Sequence, residues 1–367
     1  MDQTFSSDEQ SPIIQGAYCP LPLTHQEQIV LGHGSGGKMT HDLIRTIFQA
    51  RLSNPYLDSG NDGAVISFDQ QESEMVVSVD SHVVSPLFFP GGDIGRLSIS
   101  GTVNDIAVMG AIPLYISAGF ILEEGFQLET LAKVVDSIAI AAQEANVKII
   151  AGDTKVVEKG KCDGLYITTS GVGIRARTLK VGGQYVKPGD EIILSGTIGD
   201  HGIAVLQARG ELGFDSHITS DVAPLNQMIQ QALKAGWQNG NTNAIHAMRD
   251  PTRGGVATTL CEIAQQSRVG MIIDEKTVPV SETVQSICEM LGFDPLYVAN
   301  EGKCLFFVDA SQSQAVLEAI RRDVHGKNAA IIGRVTAENA GKVLLKTILG
   351  STHLLDMLSG EMLPRIC

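Results

Sequence analysis

The 367-residue sequence contains no apolar run approaching the roughly 18 residues of a membrane span, so a transmembrane protein is not expected. Its six cysteines, at 19, 162, 261, 288, 304 and 367, lie far apart with no C-x-x-C, which argues against a zinc site and against a disulfide framework. No Lys or Arg precedes Lys38, so the basic n-region of a secretory signal and the Arg-rich face of a transit peptide are both missing, and a cytoplasmic protein is expected. Positive charge is scarce: 27 Lys and Arg against 41 Asp and Glu leave a net charge of -14, which disfavours a nucleic-acid or anionic-membrane surface. Internal repeats and low-complexity tracts are absent too.

The apolar content is sufficient for real cores, with 43% hydrophobic and 19% charged residues, and the length exceeds what one core usually serves. Residues 1–28, rich in Asp, Gln, Ser and Pro without periodicity, are expected to be a disordered extension. Two α/β blocks follow, at 29–184 and 185–350, and then an arm at 351–367. In the first block, β-branched runs such as Met75-Val-Val-Ser-Val79 and Leu165-Tyr-Ile-Thr168 predict strands. Leu131, Val134, Val135, Ile138, Ala142 and Ala145 predict one face of a helix. Lys187-Pro-Gly-Asp190 predicts the turn that opens the second block, whose strands include Met271-Ile-Ile273 and Cys304-Leu-Phe-Phe-Val308. A helix over 256–266 is expected to bury Val256, Leu260, Ile263 and Ala264. The fold class expected is α/β or α+β, with mixed sheets.

Chemistry is suggested by carboxylates that stand beside glycines or at strand ends: Asn61-Asp62-Gly63, Asp80, Asn104-Asp105, Gly152-Asp153, Asp200-His201-Gly202 and Asp250-Pro-Thr-Arg253-Gly254-Gly255. Each alone reads as a turn residue, a helix cap or a solvated carboxylate. Together they suit Mg²⁺, a hard cation held by a few carboxylates and the phosphates of a substrate, with glycines letting backbone amides approach the anion. Gly32-His-Gly-Ser-Gly-Gly37-Lys38-Met39-Thr40 nearly spells a P-loop, but Met39 stands where the Mg²⁺-binding hydroxyl belongs, so a glycine flap over phosphates is expected instead. Ser195-Gly-Thr-Ile-Gly-Asp-His-Gly202 is read first as a strand-to-helix turn. The chain closes on Pro364-Arg-Ile-Cys367, an extended, helix-incompatible segment. A ragged end and a thiol arm that can be acylated and moved between sites both fit it.

Ten segments in order, spanning about residues 30–367, resemble the HypE hydrogenase maturation factors. These are carbamoyl dehydratases of the superfamily of aminoimidazole ribonucleotide synthetase (the PurM-like architecture), selenophosphate synthetase and thiamine-monophosphate kinase. The segments are His33-Gly-Ser-Gly-Gly37, Asp80-Ser-His-Val-Val84, Pro86-Leu-Phe-Phe-Pro-Gly-Gly92, Gly101-Thr-Val-Asn-Asp105, Gly119-Phe-Ile-Leu-Glu-Glu124, Gly152-Asp-Thr-Lys-Val156, Ser195 to Gly202, Asp250 to Gly255, Ala299-Asn-Glu-Gly-Lys303 and Pro364 to Cys367. The departures are the N-terminal extension and Asn61, where relatives often carry a second aspartate; Asp62 is the better metal candidate.

The resemblance implies two α/β domains, dimerisation through the strands of the first, and ATP bound between them with Mg²⁺. It implies that a carbamoyltransferase, HypF, loads a carbamoyl group onto Cys367. The arm then enters the protein's own ATP site, the amide oxygen is phosphorylated, and loss of phosphate leaves a thiocyanate whose cyano group passes to iron on a HypC–HypD scaffold. It assigns Asp62, Asp80, Asp105 and Asp250 to metal and phosphate geometry, Glu301 as base, and Lys155 as charge stabiliser. Gly34, Gly36, Gly37, Asn104, Gly152, Asp153, Thr154, Asp200, Arg253 and Gly254 join Asp80 and Asp105 around the nucleotide. His82 and His201 are candidates to touch it, and the five cysteines other than Cys367 are read as incidental, with Cys261 and Cys304 in the core. A sister phosphoryl-transfer enzyme and a nucleotide-switched carrier are the alternatives.

Overall fold

The computed structural model describes residues 36–49, 55, 57–67, 72–210, 217–238, 242–358, 360, 363 and 366. The expected extension, Cys19, Gly34 and Cys367 lie outside them.

Five strands form the first sheet: β1 (Ala64–Ser67), β2 (Ser73–His82), β3 (Ile112–Glu123), β4 (Lys148–Val157) and β5 (Leu165–Ala176), in the order β1-β2-β5-β3-β4. All pairs are antiparallel except β3 with β4. Alternation puts Val76, Ser78 and His82 of β2 on the covered face and leaves Val79 on the open one. Two helices, α2 (Ile94–Val108) and α3 (Leu128–Ala145), lie over the first face. Glycine is required where α2 meets β5, since a Cβ on Gly171 or Gly173 would come within 2.6 or 2.4 Å of Ile106. That close approach seats the helix that carries Asn104 and Asp105.

The apolar stripe expected on α3 is present with one exception. Val134, Ile138, Ala142 and Ala145 are buried, whereas Val135 is 45% exposed, because it sits 100° around the helix from Val134.

The second sheet runs β7-β9-β6-β10-β8-β11-β12, with only β8 and β11 parallel. Its strands are β6 (Asp190–Leu194), β7 (Ile245–Arg249), β8 (Gly270–Asp274), β9 (Leu305–Asp309), β10 (Ala330–Thr336), β11 (Val343–Lys346) and β12 (Thr352–Leu355). Both sheets are therefore mixed, as expected. One face packs on α6 (Gly255–Ser267) through Val256, Leu260, Ile263 and Ala264, all buried. The other packs on α5 (Asn226–Gly236) and α8 (Ser313–Arg321) through Met228, Ile229, Val316 and Ile320.

The two halves share apolar cores. Ala107 and Val108 of α2 join Leu225, Met228 and Ile229 in one cluster. Ile94 and Leu97 join Ile203 and Leu206 of α4 (Asp200–Ala208), Val284 and Ile287 of α7 (Glu282–Leu291), and Leu363 and Ile366 in another. The described residues of the arm are thus docked, with Leu363 and Ile366 only 8% and 7% exposed.

Candidate active site

Three carboxylates meet where the two sheets approach. Asp62 lies in the turn before β1, Asp105 near the end of α2, and Asp250 directly after β7; one oxygen from each lies within 4.8 Å of the others. Burial raises Asp62 to about 8 and Asp250 to about 6, with further repulsion from neighbouring carboxylates and opposition from Arg249. Asp105 is raised well above the carboxylate range by burial and then by Asp250, Asp80 and Asp62. Such a set is strained by its own charge. It is also an all-oxygen donor set that a divalent cation would relieve, which fits Mg²⁺. Asp80 stands outside this triad: it lines the adjoining pocket, with Oδ2 3.6 Å from His82 Nε2.

That pocket is lined by Asp80, Ser81, Asp105, Asp250, Thr252, Arg253 and Glu301. Glu301 is 4% exposed and its Oε1 has no hydrogen-bond partner among the described residues, an uncommon state for a buried carboxyl. Burial, with Asp80, Asp250 and Asp221 adding repulsion, pushes its pKa far up. Its backbone is fixed from two directions. Glu301 N–H donates to Asp221 Oδ1 at 3.1 Å, and Asn300 accepts from Gly199 N–H at 2.8 Å while donating to Pro251 O at 2.9 Å. A buried ion pair at 3.0 Å, Lys303 with Asp221, completes the support.

Among the nucleotide candidates, Gly36 lies against Arg253 of the pocket wall, and Gly37 against Leu358. A Cβ on Gly36 would sit 2.9 Å from Arg253 O, and one on Gly37 would overlap Leu358 O at 1.9 Å. Lys38, which begins the short helix α1 (Lys38–Leu43), pairs with Asp356 at 2.5 Å and donates its N–H to Leu358 O at 3.0 Å. Gly254 takes a left-handed φ of 81° to cap α6, which turns the Asp250–Arg253 loop into the pocket. Asn104 is used structurally: it donates to Ala223 O at 3.1 Å and accepts from Leu225 N–H at 2.8 Å, tying α2 to the second half. Asp200 accepts from Thr197 Oγ1 at 2.5 Å at the start of α4, in keeping with the strand-to-helix turn. His82 is buried, 3.3 Å from Thr169 Oγ1, and His201 bonds Ser220 and Ile366. Cys261 and Cys304 are core residues, as expected.

Gly152, Asp153, Thr154 and Lys155 are not brought to this pocket within one chain. Asp80 pairs with Thr169, Thr169 with Ala118, and Ala118 with Gly152, so β4 lies three strands from β2, about 14 Å. Lys155 is paired with Ile121 in the ladder and shares its outward face, opposite to Asp80; its side chain is 71% exposed beside Asp153 at 3.0 Å.

Sequence reasoning missed Arg249. Its Nε is 2.7 Å from Asp62 Oδ1 and its Nη2 is 2.9 Å from Glu262, whose other oxygen meets His41 at 2.8 Å. It also missed Asp221 and Lys303. A lysine between a glycine and the apolar run Cys304-Leu-Phe-Phe-Val308 was the available signal of a buried cation.

Residues 60–175 match the AIR synthase related protein N-terminal domain, and residues 187–346 match the C-terminal domain of the same description. The chain therefore belongs to the AIR synthase-related, PurM-like proteins. Carbamoyl dehydratase HypE of Azotobacter vinelandii is 50% identical over 335 residues, 91% of this chain and 96% of that one. A crystal structure of a HypE–HypF complex matches with TM-score 0.80 at 46% identity, covering 86% of this chain and 99% of the other. A structure of HypE in complex with ATP matches with TM-score 0.76 at 44% identity, covering 93% and 100%. Within the superfamily, the chain is a member of the HypE family of carbamoyl dehydratases, which act in hydrogenase maturation.

Proposed function

We propose that the chain dehydrates a carbamoyl group carried on Cys367, using ATP, and so makes the thiocyanate that supplies cyanide to the iron of a [NiFe]-hydrogenase. The observation that carries this reading is the buried Glu301 carboxyl, whose Oε1 has no hydrogen-bond partner among the described residues, in a pocket shared with Asp105 and Asp250. Once ionised, a carboxylate in that position can take N–H protons beside a phosphoryl group.

In this reading the amide oxygen of S–C(=O)–NH₂ attacks the γ-phosphoryl group and ADP leaves. Glu301 takes one nitrogen proton; the C–O bond then breaks, and phosphate leaves with the second proton, giving S–C≡N. Asp62, Asp105 and Asp250 would hold Mg²⁺, which would neutralise phosphoryl charge when bound. Gly36, Gly37, Arg253 and Gly254 frame the phosphates, with Asp80 at the edge of the metal site. The division into units at 29–184 and 185–350 belongs to the same proposal; the expected arm at 351–367 starts as β12, a strand of the second sheet, and leaves it after Leu355.

The remaining assignments call for a homodimer. β4 is an open sheet edge with Ile150 and Val156 exposed, and such an edge invites pairing with another chain. A second copy closing on it gives Lys155, with Gly152, Asp153 and Thr154, a site to serve across the interface. HypF as the source of the carbamoyl group, HypC–HypD as the acceptor and a cytoplasmic setting complete the reading. None of the described helices is long and apolar enough to cross a membrane.

The test is intact-mass analysis of the full chain after incubation with carbamoyl phosphate, ATP, Mg²⁺ and the transferase. The expected result is a carbamoyl adduct on Cys367 that loses one water, and Cys367→Ser protein that makes no thiocyanate. A Cys367→Ser chain that still delivered cyanide would overturn the reading.

A further inference from the structure

His201, the second residue of α4, is fully buried and spends both ring nitrogens. Nδ1 lies 2.8 Å from Ser220 Oγ, and Nε2 bonds the backbone carbonyl oxygen of Ile366. That carbonyl belongs to the peptide bond that carries Cys367. A carbonyl only accepts, so Nε2 must hold the proton. In a neutral ring Nδ1 is then the acceptor, and Ser220 must donate. Ser220 is built for this: its Oγ accepts from Val222 N–H at 3.1 Å, its own N–H is anchored on Pro90 O at 2.7 Å, and its hydroxyl proton remains to give. Burial favours the neutral ring, and Phe89 packs against its edge at 5.4 Å.

Other contacts seat the same peptide. Ile366 forms an antiparallel bridge to Val84, two residues beyond His82, the end of the strand that supplies Asp80 and Ser81 to the pocket. Leu363 rests over Gly202, where a Cβ would come within 3.4 Å of its Cδ1. The apolar contacts tolerate sliding by small amounts, whereas the bridge and the His201 bond are directional. Lys38, Tyr297, Thr258 and Cys261 hold the arm farther back, at Leu355, Asp356 and Leu358; among the described residues His201 is the side chain that bonds Ile366, and it reads the carbonyl adjacent to the reactive residue.

We propose that His201, oriented by Ser220, is a positioning residue: it latches the C-terminal peptide at Ile366 in the docked state needed for dehydration, and its loss shifts the arm toward the open state that an external carbamoyl donor needs. This rests on the reading of Cys367 as the loaded residue, but the latch itself is testable without that chemistry. The first measurement is alkylation of Cys367 by iodoacetamide at fixed pH in the full-length protein, followed by peptide mass analysis. His201→Asn, too short to reach the carbonyl, is expected to raise the Cys367 rate roughly tenfold, the order expected for one buried hydrogen bond. Ser220→Ala, which leaves the ring in place but frees its tautomer, is expected to raise it less.

The second measurement separates positioning from general damage. With transferase and carbamoyl phosphate, loading of Cys367 in both variants should be as fast as in the parent or faster, while conversion to thiocyanate slows. Folded variants that alkylate at the parent rate would overturn the latch. Faster alkylation with dehydration at the parent rate would overturn its role in positioning. Should His201→Asn not fold, Ser220→Ala decides both points. Failure of the proposed function would show instead as absent thiocyanate in the parent protein, with the alkylation difference intact.

Discussion

Arg249 Nε lies 2.7 Å from Asp62 Oδ1, so the acidic triad carries its own buried counter-charge. Burial works against the guanidinium, but Asp62 and Glu262 outweigh it and keep it charged. Breaking a buried pair by removing one partner typically costs about 3–5 kcal/mol, because the other charge is left uncompensated. Arg249→Met is therefore expected to lower the melting temperature markedly in EDTA and to recover more of the loss on adding Mg²⁺ than the parent gains. Equal Mg²⁺ effects in variant and parent, read by calorimetry, would separate Arg249 from the metal site.

Glu301→Gln preserves shape and hydrogen bonding but removes basicity. Carbamoylation of Cys367 should proceed, while dehydration slows by about 10²–10⁴-fold, the usual contribution of general-base catalysis. The carbamoylated species should accumulate and be visible by intact mass. Conversion at the parent rate would return Glu301 to the role of a buried loop residue.

Lys155 makes the sharpest prediction about assembly, because it lies on the outward face of an edge strand. Lys155→Met and Glu301→Gln chains should each be inactive alone. If Lys155 acts across a dimer, mixing them by unfolding and refolding restores one complete site per mixed pair, about a quarter of the parent activity for random pairing. No recovery in confirmed mixed dimers would place the lysine outside the reaction.

His82 and His201 are both buried, and desolvation holds both below the ordinary value of 6.5, against attraction from Asp80 and Asp221 respectively. A depressed histidine favours the folded state when neutral, so its contribution is complete above 6.5 and is lost as pH falls through the lowered folded value. Asp62, Asp105, Asp250 and Glu301 are raised and work in the opposite direction, favouring the folded state where they are protonated. Comparing melting curves of parent and His201→Asn from about pH 7 to about 5 isolates the imidazole, and the variant should lose less stability on acidification. Parallel curves would show that His201 does not titrate with unfolding.

The sequence by itself determined the parts that depend on local pattern. Alternation in β2 and β5, the glycines near Asp62 and Asp250, and the helical spacing of α6 were all legible, since neighbours in the chain decide which face a residue takes. Ten ordered segments likewise carried the family. Val135 shows the limit of that reasoning: it is apolar and near the stripe of α3, yet exposed, because only the packed sheet defines how wide the covered face is.

Tertiary structure alone decided which charges meet. Arg249 with Asp62, Lys303 with Asp221, and His201 with the carbonyl of Ile366 are separated by up to 187 residues, and no periodicity links them. The same holds for Lys155, whose motif sits beside an aspartate in sequence but whose strand is placed by the order β1-β2-β5-β3-β4 at the far edge of the sheet. Local rules fix the direction of a side chain relative to its own backbone. The distance between two charges, and so whether they attract, repel or share a proton, is fixed only when strand order and helix packing have brought the backbones together.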